Sequence, residues 1–199
     1  SRTGRLMSPK GGMIAMTVKA FMRSPRRPVV FQPVYIGYER LIGGKSYLDE
    51  LSGQAKEKET VWALIKAAFE ILREHYGKVT VNFGEPIYLD DSLAKHAPQW
   101  REDRDNMEGK LPWLADVVEE LAQQINVNIN GAADVNPVNL LALALLSTPK
   151  HAMDETDLIE QIELSKRILR DEPYSARITV TALNAKSIIA YGEEMGVIC

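Results

Sequence analysis

At 199 residues, 45% of them hydrophobic and 26% charged, the chain has a globular composition, enough for one core or one core and a small appendage. Its single cysteine, Cys199, excludes an intrachain disulfide and any multi-cysteine metal site, which fits a reducing compartment, and no run approaches the roughly 18 apolar residues of a spanning helix. The formal charge of −3 hides an asymmetry: Arg2, Arg5, Lys10, Lys19, Arg23, Arg26 and Arg27 all precede the first acid, Glu39.

A glycine-bracketed run of cations suits phosphate, because Arg offers a planar fork to two oxygens and glycine lets the backbone approach an anion. A solvated face and a nucleic-acid patch remain alternatives on composition. The chain opens without Met on residues that already read as a functional loop, so further sequence is expected before Ser1. Gly11-Gly12 breaks that loop. Met13 to Met22 then predicts a helix covering a core with Met13, Met16, Val18, Ala20 and Phe21, ended by Pro25 and Pro28. With Arg23, Arg26 and Arg27 beyond it, this segment reads either as an interfacial helix or as an ordinary amphipathic one whose cations complement its dipole.

Val29 to Tyr38 is nearly continuous in β-branched and aromatic residues and predicts a strand buried on both faces. Pro33 interrupts it, and proline is kept in a strand only at an edge, an end or a bulge. Leu41 to Gly53 is loop-like. Lys56 to Tyr76 predicts a long helix with Val61, Leu64, Ile65, Ala68, Ile71 and Leu72 on one stripe and Gly77 as its C-terminal cap. Lys78 to Gly84 alternates as a half-buried strand, so the helix and its flanking strands suggest a right-handed crossover within one sheet. Residues 97–110 are polar and read as a connector. Beyond them helices are predicted from Leu111 to Asn130, from Asn136-Pro137 through the apolar Val138 to Leu146, and from Asp154 to Arg170. In the last, Asp154 is the expected N-cap and Leu158, Ile162, Leu164, Ile168 and Leu169 face inward.

His75, His96 and His151 have no His or Cys at ligand spacing. No His-Glu-x-x-His, Gly-x-Ser-x-Gly or phosphate-loop signature occurs. The residues therefore predict no metal and no catalytic group within this chain.

Ser1-Arg2-Thr3-Gly4-Arg5-Leu6 with Pro9-Lys10 and Gly12-Met13, and Gln32-Pro33-Val34-Tyr35-Ile36-Gly37-Tyr38-Glu39, resemble the third and fourth sequence blocks of the membrane-associated bacterial glycerol-3-phosphate acyltransferases. Phe83-Gly84-Glu85-Pro86, Asn136 to Leu146 and Pro173-Tyr174-Ser175 resemble the C-terminal half of the same family. The resemblance covers essentially the whole chain. The family's first block has a histidine followed five positions later by an aspartate, whereas here the fifth positions after His75, His96 and His151 are Thr80, Arg101 and Thr156. The second block and the start of the third are also missing.

The resemblance implies an α/β fold: part of a glycerolipid acyltransferase sheet-and-helix domain over residues 1–96, the connector 97–110, and a mainly helical C-terminal region over 111–199. It implies that the parent enzyme moves a fatty acyl group from a thioester of coenzyme A or acyl carrier protein to the first-carbon hydroxyl of glycerol 3-phosphate. No other cofactor is expected, and the chain should be inactive alone. Ser1 and Arg2, with Arg5 and Lys10 beyond the block, are the expected substrate-phosphate residues; Arg5 and Lys10 could instead meet phosphates of the donor or of lipid headgroups. Pro33, Val34, Tyr35 and Ile36 are the expected acyl-donor residues. The implied location is peripheral, on the cytoplasmic face of the bacterial inner membrane against anionic phospholipid. The rival reading is a non-enzymatic module that binds nucleic acid or anionic lipid through the basic segment. Phe21 is the sole ring in residues 1–27, which argues against a single-strand stacking platform.

Overall fold

The computed structural model describes residues 6–40, 76–106 and 111–199. In chain order these form α1 (Gly12–Arg23), β1 (Val30–Phe31), β2 (Val34–Tyr38), β3 (Val79–Phe83), β4 (Ile87–Tyr88), α2 (Leu89–His96), α3 (Leu114–Gly131), β5 (Asp134–Val135), α4 (Pro137–Leu146), α5 (Glu155–Asp171), β6 (Thr179–Val180) and α6 (Ala185–Glu194). The described residues thus mix helices with small sheets. β1 pairs antiparallel with β4, β2 antiparallel with β3, and β5 parallel with β6.

Two apolar clusters hold these elements. In the first, Val18, Phe21 and Met22 of α1 meet Leu89 and Leu93 of α2 and Val117 and Leu121 of α3. Ala97 and Trp100, inside the polar stretch 97–110, are buried in the same cluster. The Trp100 ring lies 5.5 Å from that of Phe21 and carries the Arg101 guanidinium 4.7 Å from its centroid, so the tryptophan combines a ring contact with a cation–π contact. Trp113 joins them and donates its indole N–H to Asp103 at 2.7 Å.

The second cluster joins Leu140, Leu141 and Ala144 of α4, Leu158 and Ile162 of α5, and Ile188 and Ile189 of α6. Each helix has a side-chain N-cap. Asn136 and Asn139 exchange side-chain to backbone bonds of 2.9 and 3.1 Å across Pro137, Asp154 accepts from the Thr156 amide at 2.9 Å, and Asn184 accepts from the Ser187 amide at 2.9 Å. Lys166 of α5 is buried. Its ammonium donates to the Leu183 carbonyl and lies 3.9 Å from Glu163, which itself accepts from the Ala185 amide at 2.8 Å.

Several expectations change here. Val29 to Tyr38 is two short strands separated at Gln32-Pro33, and Val30, Ile36 and Tyr38 are exposed, so no strand buried on both faces forms. The antiparallel pairing of β2 with β3 removes the parallel crossover expected between them. β3 does alternate, but Thr80 and Asn82 turn inward while Val79, Val81 and Phe83 face out. In α1 the buried stripe is Val18, Phe21 and Met22, and Met13, Met16 and Ala20 are exposed. Leu143 and Leu146 of α4 and Leu164 and Ile168 of α5 are likewise exposed, since each packed face is narrower than the apolar pattern. Leu41 to Gly53 and residues 56–75 of the expected long helix lie outside the described residues. Gly77 has the left-handed φ of 69° that suits a C-terminal cap.

Candidate functional site

Gln32 and Pro33 stand where β1 passes into β2. Pro33 is buried and opposes Gly84 just beyond the end of β3: the Gly84 amide donates to the Pro33 carbonyl at 2.9 Å. Proline has no N–H to return. The Gln32 side-chain amide supplies the missing donor, reaching the Gly84 carbonyl at 2.8 Å. A proline is thereby accommodated beside a ladder with its partner carbonyl satisfied.

Gly84 also lets a helix come close. A Cβ built there would lie 2.5 Å from the carbonyl oxygen of Asn128 in α3 and 3.1 Å from Pro33 Cβ. Asn128 secures the contact by donating its side-chain amide to the Glu85 carbonyl at 2.8 Å.

Three alternating asparagines on α3 tie separate parts of the chain together. Asn126 donates to the Met7 carbonyl at 3.3 Å, Asn128 holds Glu85, and the Asn130 carbonyl accepts from the Tyr174 hydroxyl at 3.4 Å. The Tyr174 hydroxyl titrates above its ordinary range, first because burial disfavours the phenolate and then because Tyr35 is near. Arg177 pairs with Glu85 through two nitrogens, its Nε donating at 2.7 Å, and its backbone N–H donates to the Ser175 hydroxyl at 3.2 Å. Glu85, Asn128, Asn130, Tyr174, Ser175 and Arg177 line a cavity of about 300 Å³.

This is an orienting assembly beside a cleft of mixed polar and apolar lining. Its cation is already paired, and a phenol with a raised pKa is a donor at neutral pH and no base. Among the described residues no group of three or more His, Cys, Asp or Glu side chains is placed to hold a metal ion.

A second surface, mixed in character, lies at the end of α1. Thr17, Ser24, Arg26 and Arg27 line an open depression of about 600 Å³, and Arg23, Arg26 and Arg27 are exposed. These are the cations that the sequence places beyond α1, where an interfacial helix and a dipole-complemented one are both open readings.

Of the expected substrate residues, Lys10 is exposed just before α1, whereas Ser1, Arg2 and Arg5 lie outside the described residues. Of the expected acyl-donor residues, Pro33 is buried, Val34 and Tyr35 are half-buried and Ile36 is exposed. Successive residues on β2 point to opposite faces, so Tyr35 shares the face of Thr80 and Asn82, its ring over Gly37, while Val34 and Ile36 share the other side. The four donor-site candidates therefore divide between two surfaces. The segments containing Lys10, Pro33, Gly84 and Tyr174 are linked through α3 or beside it. Sequence reasoning missed Asn126, Asn128 and Arg177. The alternation Asn126-Val-Asn-Ile-Asn130 was the signal for the two asparagines, because asparagine is a poor helix former and three in one helix imply side-chain or backbone work.

A family model described as the glycerol-3-phosphate acyltransferase C-terminal region matches residues 47–198. Over 198 residues, covering this chain end to end, the sequence is 60% identical to a glycerol-3-phosphate acyltransferase of Xanthomonas campestris pv. campestris, 59% to one of Xylella fastidiosa and 43% to one of Pseudomonas aeruginosa. The matched part is 22%, 23% and 24% of those proteins, so the chain spans less than a quarter of their length.

Proposed function

The chain belongs to the glycerol-3-phosphate acyltransferase family, in its C-terminal region, and from that premise we propose that it is the carboxyl-terminal portion of an enzyme acylating glycerol 3-phosphate. The family displaces the nucleic-acid-binding alternative. In the proposed reaction the first-carbon hydroxyl oxygen attacks the carbonyl of an acyl thioester of coenzyme A or acyl carrier protein. The carbon–sulfur bond breaks, an ester forms, and the hydroxyl proton passes through a base to the leaving thiolate, giving lysophosphatidate and a free thiol.

The base is assigned upstream, because no histidine here is followed five positions later by aspartate. This chain supplies binding surfaces. Ser1 and Arg2 take the substrate phosphate, with Arg5 and Lys10 beside them or on donor or headgroup phosphates. Pro33, Val34, Tyr35 and Ile36 border the acyl donor. The observation that carries this reading is that α3 reaches both the segment after the third block, at Met7, and the turn facing the fourth block, at Glu85, through Asn126 and Asn128. The finer fold reading follows: residues 1–96 complete an acyltransferase sheet-and-helix domain, and 111–199 form its helical extension.

We assign the whole enzyme to the cytoplasmic face of the bacterial inner membrane, held peripherally. Exposed Met13 and Met16 and the cations after α1 support contact with anionic phospholipid. No described helix is long and apolar enough to cross a membrane.

The test is steady-state kinetics of this chain rejoined to the upstream part of the Xanthomonas campestris relative, with and without Arg2→Gln. Losing a charge-assisted bond to phosphate worth about 1.5–3 kcal/mol should raise KM for glycerol 3-phosphate roughly 10- to 100-fold. An unchanged KM in a well-expressed enzyme refutes the Arg2 assignment, and absence of any lysophosphatidate from the unsubstituted enzyme refutes the function.

A further inference from the structure

The register of β2 with β3 sets Val34 opposite Phe83, Ile36 opposite Val81, and Tyr38 opposite Val79. Alternation puts all six side chains on one face of the pair. Ile36, Tyr38, Val79, Val81 and Phe83 are 49–62% exposed. The other face is engaged: Thr80 donates to Asp134 at 3.1 Å, and Asn82 donates to the Ala132 carbonyl and the Thr179 hydroxyl at 3.0 Å each. Among the described residues, the apolar face is therefore the unpartnered side of a fixed sheet, not a frayed hairpin.

Its edges are open as well. The flanking pairs Pro33–Gly84 and Glu39–Lys78 are joined by backbone bonds of 2.9 and 3.2 Å, so the intervening residues of the apolar face turn their N–H and C=O groups outward. No described strand pairs with either outer edge. A contiguous patch of β-branched and aromatic side chains with two open edges is a surface that proteins cover, by sheet extension or by a packed layer.

Most of the length of the relatives lies outside this chain. We propose that this face and its edges are the seam against which the amino-terminal remainder of the acyltransferase packs. The proposal rests on reading the chain as the carboxyl-terminal portion of that enzyme. It identifies β2–β3 as interior strands of a larger sheet, with Val34 and Ile36 bordering the acyl donor from within the seam and Pro33 and Tyr35 from the face of Thr80 and Asn82.

The test is maleimide labelling of Val81→Cys, and separately of Val79→Cys, in the rejoined enzyme, read peptide by peptide by mass spectrometry. Cys199, exposed in this chain, serves as the internal reference, and the denatured enzyme supplies intrinsic rates. The seam predicts labelling at both positions at least about tenfold slower than intrinsic, since access then requires local opening. Rates within about threefold of intrinsic in an enzyme that still makes lysophosphatidate overturn the seam and leave the function standing. Protection in a folded but inactive rejoined enzyme supports the seam and refutes the function. Protection already present in the lone chain assigns the cover to this chain or to a second copy of it, and overturns the proposal.

Discussion

Replacing Gly84 by alanine tests whether α3 sits directly against the end of β3. The added methyl would lie 2.5 Å from the Asn128 carbonyl oxygen, 3.0 Å from its carbon and 3.1 Å from Pro33 Cβ. Neither neighbour yields easily, since one is helix backbone and the other belongs to a buried ring. Strand and helix must separate by several tenths of an ångström, stretching the bonds from Asn128 to Glu85 and from Gln32 to Gly84, both 2.8 Å. Overpacking of this kind costs about 1–3 kcal/mol, against roughly 0.4–1 kcal/mol gained by restricting the unfolded chain. Urea denaturation should show Gly84→Ala destabilised by about 1–2 kcal/mol at constant m-value. Gly12→Ala is the matched control: nothing lies within 4 Å of its added Cβ, and it opens α1, so a gain of up to about 0.5 kcal/mol is expected. Equal effects at the two glycines, or a stabilised Gly84→Ala, would refute the close approach of α3 and the assembly built on it.

Lys166→Met, which keeps the stem but removes the ammonium, should leave the Leu183 carbonyl without its donor and cost about 1–3 kcal/mol by the same urea measurement; a neutral result would mean that water satisfies that carbonyl. Glu85→Gln breaks an exposed ion pair and should change stability by less than about 1 kcal/mol, with an even smaller effect in high salt, and a larger loss would show the pair to be screened from water. The Tyr191 hydroxyl donates to Glu39 at 2.5 Å and is pushed up to about 12, first by burial and then by that hydrogen bond and nearby carboxylates. Its folded pKa exceeds the unfolded value of about 10, so its contribution is complete below pH 10 and is lost as pH rises toward 12. Titration of phenolate absorbance should show a late-ionising tyrosine that Tyr191→Phe removes, and an unchanged titration curve would contradict the placement of α6 against Glu39.

Local chemistry was readable where it depends on neighbours in sequence. Asn136-Pro137 and Asp154 start helices as their capping chemistry demands, and Pro33 marks a strand end because its missing N–H cannot be hidden. What escaped depends on partners far along the chain. The apolar Val79, Val81 and Phe83 pointed to a core face, yet Asp134, Ala132 and Thr179 draw Thr80 and Asn82 inward instead. Exposed Met13 and Met16 show the same limit, since an apolar stripe does not say which of its members finds a neighbour. The polar composition of residues 97–110 concealed Ala97 and Trp100, two core positions. Arg177 could not be chosen from sequence because Glu85, 92 positions away, gives it its place. Resemblance supplied the family, and only the fold linked its separate blocks through α3.

On the proposed reading, this chain supplies binding surfaces to an acyltransferase whose base lies upstream. The most direct test of that reading is acyl transfer to radiolabelled glycerol 3-phosphate by membranes carrying either the chain alone or the chain rejoined to an intact upstream part. Lysophosphatidate from the rejoined protein only is the predicted result. Product from the chain alone would contradict the assignment of the base, and none from a folded rejoined protein would contradict the function.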